Sequence, residues 1–289
     1  MTRDNAYEAL SDPAGDPRWA YGTGFSDPLA GMDTAVPADV DGGDLAAYCL
    51  MLGDDALIMS HRLQEWCAHA PELEEEMALA NIALDLLGQA RLLLTRAGQA
   101  DGSGRDEDEL AFHRPPGELR HVTLAEVGNG DFAHTMARLL VFSTWRLALF
   151  DRLTGSRDPV LAAVAAKGVK ELAYHRDHAA GWVVRLGDGT EESHRRMRDG
   201  LAAVWPLVGE LFAAHPVELR LAGTAVDPRT VRDEFDEVVA EVLRTATLAV
   251  PDVPSPVEVR GRDGVHTSEL DALLDEMRCV VRAFPGATW

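Results

Sequence analysis

Cysteine is scarce and scattered in this chain. Cys49, Cys67 and Cys279 are its only three, odd in number, far apart and without CxxC spacing, which excludes a disulfide framework and argues against a structural zinc site. Two of them lie in strongly apolar helical contexts, where a free thiol acts as a small hydrophobe. Uninterrupted apolar runs approaching the ~18 residues of a membrane span are missing. The opening stretch, MTRDNAYEALSDPAGDP, has no apolar stretch of the kind a secretory signal needs. Basic residues are outnumbered, 27 Lys and Arg against 48 Asp and Glu, for a formal net charge of -21. Such a field repels phosphate backbones and anionic membranes, so neither nucleic acid nor membrane is an expected partner; it suits solubility or a basic partner protein. A reducing cytoplasm is the expected compartment.

Other signatures are missing as well. No segment alternates as a strand does, and no repeat recurs at a solenoid period. No Gly-x-Ser-x-Gly elbow, phosphate-cradling glycine loop or dinucleotide fingerprint stands where a strand–turn–helix unit could use it. LGDGT and GNGD are turn signals at helix ends.

What is present is helix. Residues 1–43, rich in Gly, Pro, Asp and Ala, read as a mobile or loosely docked N-terminal extension, and 44–289 as one helical domain. From Asp44, DLAAYCLMLGDDALIMSHRLQEWCAHA places apolar residues at steps of three and four, predicting a helix that runs until Pro71. ELEEEMALANIALDLLGQARLLLTRAG opens with carboxylates, closes with Arg91, Arg96 and Gly98, and is apolar nearly all round, so it is expected to be central. Gln99 to Gly117 is a charged, Gly/Pro-rich crossover. A third helix follows Asp131 as N-cap; a fourth starts at Asp158-Pro159 and stops at RLGDG, where Gly187 can take the left-handed conformation. Three further helical stretches complete the chain, the first kinked at Pro206. The fold class is all-α: a ferritin-like four-helix bundle with a crossover and about three additional C-terminal helices.

Bundles of this kind often hold two irons, using one Glu from each of two helices and a Glu-x-x-His pair from each of the others. The candidate stretch is KELAYHRDH on the fourth helix, with Glu171, His175 and His178 on one face. Glu171 and His175 are four apart, and Tyr174 stands where the His of Glu-x-x-His belongs. Three residues beyond Glu74, Glu75 and Glu76 lie Met77, Ala78 and Leu79. The third helix has no carboxylate between Asp131 and Asp151; its interior polar groups are Arg138, Ser143, Thr144 and Arg146, so a cation there meets guanidinium first. The expected reading is a degenerate site without metal, in which Glu171, His175, Asn81, Asp85, Arg138 and Lys167 form a buried polar network. Glu171 is expected to pair with Lys167 or with a basic group on a facing helix. Arg138, Lys167 and Arg91 are candidate partners for Asp85, the alternative being a water-filled groove or another subunit. A second reading is a metal-dependent oxygenase active on its own through Glu171 and His175.

The stretches LGDDALIMSHRLQEWCAHAPELEEEMALANIALDLLGQAR, SRDPVLAAVAAKGVKELAYHRDHAAGWVVRLGDGT, VDPRT and HTSELDALLDEMRCVVRAFPGATW closely resemble the C-type members of the PaaA/PaaC ferritin-like family of phenylacetyl-CoA epoxidase subunits. The likeness runs from about Leu45 to Trp289. It implies a non-catalytic subunit of a multicomponent monooxygenase of aerobic phenylacetate degradation. On that resemblance the di-iron centre and the phenylacetyl-CoA site belong to a related A subunit, this chain carries no cofactor, and a separate reductase delivers electrons from NADPH for epoxidation by dioxygen.

Overall fold

A computed structural model describes Gly31 and residues 33–285. Four long helices form the body: α1 (Gly42–Gln64), α2 (Leu73–Ala100), α5 (Phe132–Leu153) and α6 (Pro159–Gly187). Between α2 and α5 lie the short α3 (Glu107–Phe112) and α4 (Thr123–Glu126). After α6 come α7 (Glu191–Val204), α8 (Pro216–Arg220), α9 (Arg232–Thr245), α10 (Ser268–Met277) and α11 (Cys279–Ala283), joined by 3₁₀ turns. No strand occurs among the described residues, apart from an isolated bridge between Ala222 and Ala225.

Local chemistry sets the helix starts. The Asp131 carboxylate accepts the His134 N–H at 2.9 Å and that of Asp158 accepts the Leu161 N–H at 2.8 Å, each satisfying a backbone donor that has no partner inside its helix. Pro159 follows Asp158 at the first helical position, where its missing N–H is no loss. One end differs from expectation. Helix α1 stops at Gln64, well before Pro71, and Ala68 sits at φ 64° in the linker. There Trp66 leaves the helical path to donate its Nε1–H to Thr135 Oγ1 at 3.1 Å and to meet Phe132 edge-on, a contact α1 would forgo by continuing straight.

Contacts between the long helices give the topology. Ser60 donates to the Ala83 carbonyl at 2.7 Å, and a side chain on Gly53 would touch Leu94, so α1 and α2 are antiparallel. Contacts of Leu52 and Trp66 with Arg146 and Thr135 make α1 and α5 antiparallel. Those of Asp85 and Glu75 with His175 and Trp182 do the same for α2 and α6. The order is therefore up, down, down, up, and residues 101–131 must travel the length of the bundle, as a ferritin-like crossover does. Helix α5 approaches α6 at Gly168, where a Cβ would lie 2.7 Å from the Phe150 ring.

Two adjacent acids on α1 hold the crossover. Asp54 accepts the Arg120 N–H at 2.8 Å and takes both ends of the Arg114 guanidinium. Asp55 accepts the Val122 N–H at 2.8 Å and pairs with Arg262 at 2.8 and 3.0 Å. All four side chains are buried, so each charge depends on its partner.

The N-terminal extension is described only in its last stretch. Residues 1–30 of the predicted mobile or loosely docked extension lie outside the described residues. Its last stretch is docked: the Thr34 carbonyl accepts from Arg96, Asp39 pairs with Arg157, and Asp41 caps α1. Cys49 is buried, but Cys67 and Cys279 are exposed, unlike the buried hydrophobes that apolar surroundings in sequence suggest.

Candidate functional site

The middle of the bundle is built around a guanidinium. Helix α5 carries Arg146 with Phe142 and Phe150 one turn away on either side, so all three share a face. The Arg146 Cζ lies 4.4 Å from the Phe150 ring centre and 5.8 Å from that of Phe142, and the side chain is wholly buried. Its Nε–H donates to Gln89 Oε1 on α2 at 3.1 Å and its Nη2 to the Leu52 carbonyl on α1 at 3.1 Å. Asp55 stands 3.9 Å from Nη1. Burial pulls the Arg146 pKa down, with Asp55 opposing, to about 10; the group keeps its charge at neutral pH.

Gln89 passes the contact onward. Its Nε2–H donates to Glu171 Oε2 on α6 at 3.0 Å, while Lys167 takes the other Glu171 oxygen. Further along the α2–α6 seam, His175 Nε2 meets Asp85 Oδ2 at 3.0 Å. Next, Glu75 accepts the Trp182 Nε1–H at 2.7 Å and lies 3.2 Å from His178 Nε2. Burial lowers the His178 pKa, against the pull of Glu75.

This donor set does not fit a di-iron centre. Glu171 has both oxygens engaged, and His175 turns Nε2 to Asp85 and has only Nδ1 without a partner. Helix α5 contributes a fixed positive charge at the centre of the bundle, against which a dication would be repelled. Helix α1 contributes Asp55, bound to Arg262, and α2 faces Arg146 with the Gln89 amide, its Asp85 and Glu75 lying further along the seam against His175 and Trp182.

The expected polar network is only partly assembled. Glu171, Lys167, Asp85 and His175 share the α2–α6 seam, and the expected Glu171–Lys167 pair forms. Lys167 is exposed rather than buried, and so is Asn81; Asn81 lies on the outward face of α2, while Asp85 turns toward α6. Asp85 finds His175, not Arg138, Lys167 or Arg91. Arg138 is buried further toward the start of α5, donating to the Val127 carbonyl and Asn129 Oδ1. Arg91 reaches Glu107 on α3 at 2.9 Å.

The outer face of α2 is itself a candidate surface. Leu73, Met77 and Leu84 are 68%, 60% and 61% exposed, and Tyr174 of α6 is 52% exposed. With Leu87, the α2 residues recur at helical spacing as one apolar stripe. Among the described residues, α2 is also the one unbroken helix long and apolar enough to cross a membrane by length and composition, with 44% of that window buried. Its inner face packs on α1 and α6, as a bundle helix does.

The sequence profile described as "Phenylacetic acid catabolic protein" matches residues 31–289. The chain belongs to the phenylacetic acid catabolic protein family. The match begins before Leu45 and takes in the docked segment ahead of α1. Within the family, the chain is 46% identical over 247 residues to the C subunit of 1,2-phenylacetyl-CoA epoxidase from Escherichia coli (strain K12), covering 85% of this chain and 99% of that relative. The all-α, ferritin-like expectation and the family resemblance are both borne out.

Proposed function

We propose that the chain is a non-catalytic structural subunit of a phenylacetyl-CoA 1,2-epoxidase. It supports a related A subunit that holds the di-iron centre and the substrate, while a reductase supplies electrons from NADPH. One observation carries the reading: Arg146 occupies the middle of the bundle, bonded to Gln89 and the Leu52 carbonyl, where a metal-binding relative of this architecture needs inward-facing carboxylates and histidines. The competing reading, an oxygenase working alone through Glu171 and His175, would have to break the two contacts that hold Glu171, to Gln89 and Lys167, and bring a metal up against the Arg146 charge. The apolar stripe on α2 supports assembly, since patches of this kind mark interaction faces. A rigid bundle docked there would brace its partner without chemistry of its own.

The test is co-expression with the A subunit, size-exclusion chromatography, iron analysis of each chain and turnover of phenylacetyl-CoA with the reductase. The expected result is one complex, with iron and turnover dependent on the A subunit. Stoichiometric iron with a di-iron absorption spectrum in this chain alone would overturn the proposal.

A further inference from the structure

Among the described residues, one group of three metal-ligand side chains has donor atoms close enough to share an ion: His121, Glu126 and His266. It lies outside the four-helix core, where the crossover meets the segment leading into α10. Glu126 Oε2 is 2.6 Å from His121 Nε2 and 2.8 Å from His266 Nδ1, and Glu126 Oε1 accepts the Thr267 N–H at 2.6 Å. The two imidazoles stack, centroids 4.4 Å apart and planes 18° from parallel.

Two features decide against a metal. An imidazole lone pair lies in its ring plane, so a shared ion must sit in both planes at once; rings stacked nearly parallel offer no such point close to both nitrogens. Coordination through His121 Nε2 would also put the ring proton on Nδ1, which is buried and has no hydrogen-bond partner, whereas a ligating histidine almost always donates its other N–H.

Protons satisfy the same atoms. His121 with one proton on Nε2 donates to Glu126 and leaves only a lone pair on Nδ1. His266 is different: Nδ1 faces the Glu126 carboxylate and Nε2 faces the Leu119 carbonyl oxygen at 3.1 Å. Both oxygens only accept, so both ring nitrogens must carry hydrogen. We propose that His266 is held as a buried imidazolium that clasps the α10–α11 segment to the crossover, and that loss of its proton releases that segment. A neutral ring could serve one acceptor and would turn a lone pair on the other.

The surrounding charges agree. Burial pushes the His266 pKa down, but the hydrogen bond and charge of Glu126 outweigh it, with Asp54 of α1 adding to them, and the net shift is upward. Asp54 is itself paired with Arg114. Arg62 of α1 touches the Glu126 carbonyl, not its carboxylate, and pairs with Glu65; Glu269 of α10 binds the Gly128 N–H. Glu210 is occupied by the Thr123 and Gly261 N–H groups. Because the folded-state value is raised, the clasp is fully present below the ordinary histidine pKa of about 6.5 and is lost as pH rises through the higher folded value.

The test is ¹⁵N NMR of histidine-labelled full-length protein, with hydrogen exchange of residues 268–283. At pH 6 both His266 ring nitrogens are expected to show imidazolium shifts, titrating above the ordinary value. Protection of 268–283 should fall roughly tenfold per pH unit between about 6.5 and that midpoint, while α2 stays protected. Glu126→Gln should bring the midpoint down. A neutral His266 at pH 6, protection indifferent to pH, or an unchanged midpoint in the Gln variant would each overturn the proposal. So would stoichiometric Zn²⁺ binding that displaces the Nδ1 proton.

Discussion

Arg146 on α5 and Glu171 on α6 never touch; Gln89 of α2 stands between them, accepting from the guanidinium at 3.1 Å and donating to the carboxylate at 3.0 Å. An amide can do both, whereas a carboxylate has no hydrogen to give and an ammonium no lone pair. Three helices are thereby tied by neutral and charged hydrogen bonds in the place where metal-binding bundles use a cation.

Truncating that guanidinium should be costly. Arg146→Ala removes two hydrogen bonds, leaves Gln89 Oε1 and the Leu52 carbonyl without their donor and opens a cavity between two phenylalanines. A loss of about 3 kcal/mol or more is expected by urea denaturation. A loss under about 1 kcal/mol would show that the guanidinium does not hold the helices together.

Asp55 should matter as much for a different reason. In Asp55→Ala the Arg262 guanidinium stays buried with only carbonyl partners, which is expected to cost about 3–5 kcal/mol. Adding Arg262→Met should recover part of the loss, measured as a double-mutant cycle; a purely additive double variant would contradict the pairing.

Glu218 supplies a pH-dependent case of opposite sign to Glu126. Burial pushes the Glu218 carboxyl up to about 7, with Arg262 opposing. Its folded value exceeds its unfolded one, so stability favoured by the protonated form is complete below about 4.5 and declines as pH rises through 7. Glu218→Gln, which keeps an acceptor for the His215 N–H, should leave stability at pH 4.5 unchanged and raise it at pH 8. For Glu126, burial raises the pKa but the two histidine hydrogen bonds outweigh it and hold it at about 2. Its contribution is present above about 4.5 and lost as pH falls toward 2.

The α2 stripe can be tested without touching the core. Leu84→Glu should change stability of the isolated chain by no more than about 0.5 kcal/mol, yet abolish co-purification with the A subunit. Retention of the complex would move the docking face elsewhere.

Helices and caps are legible from sequence because they rest on local chemistry: Asp131 and Asp158 cap where expected, and the 3.6-residue period marks all four long helices. Gly187 does end α6, though not in the left-handed conformation; a Cβ there would collide with the Ala246 carbonyl oxygen, a long-range crowding no local pattern reveals. Asn81 is expected at the core or an interface because MALANIALDLL is apolar on every side. One of those sides is a surface, and composition alone cannot tell a core from an interface. Asp54 and Asp55 escape a reading based on helical period, although two adjacent acids amid LGDDALIM carry a signal: buried carboxylates demand distant partners. His121, Glu126 and His266 sit in loops and a single turn, with no periodicity to draw them together.

The span from Asp55 to Arg262 also has a bearing on synthesis. On the ribosome, α1 and α2 emerge early, but Asp55 lacks its two-bond partner until residue 262 has left the exit tunnel, Arg146 standing only at 3.9 Å. The paired hairpin must therefore wait with Asp55 in water, and its final docking belongs to the end of translation rather than the beginning. A chain truncated before Arg262 is expected to be helical by circular dichroism yet readily cleaved by protease in residues 101–131.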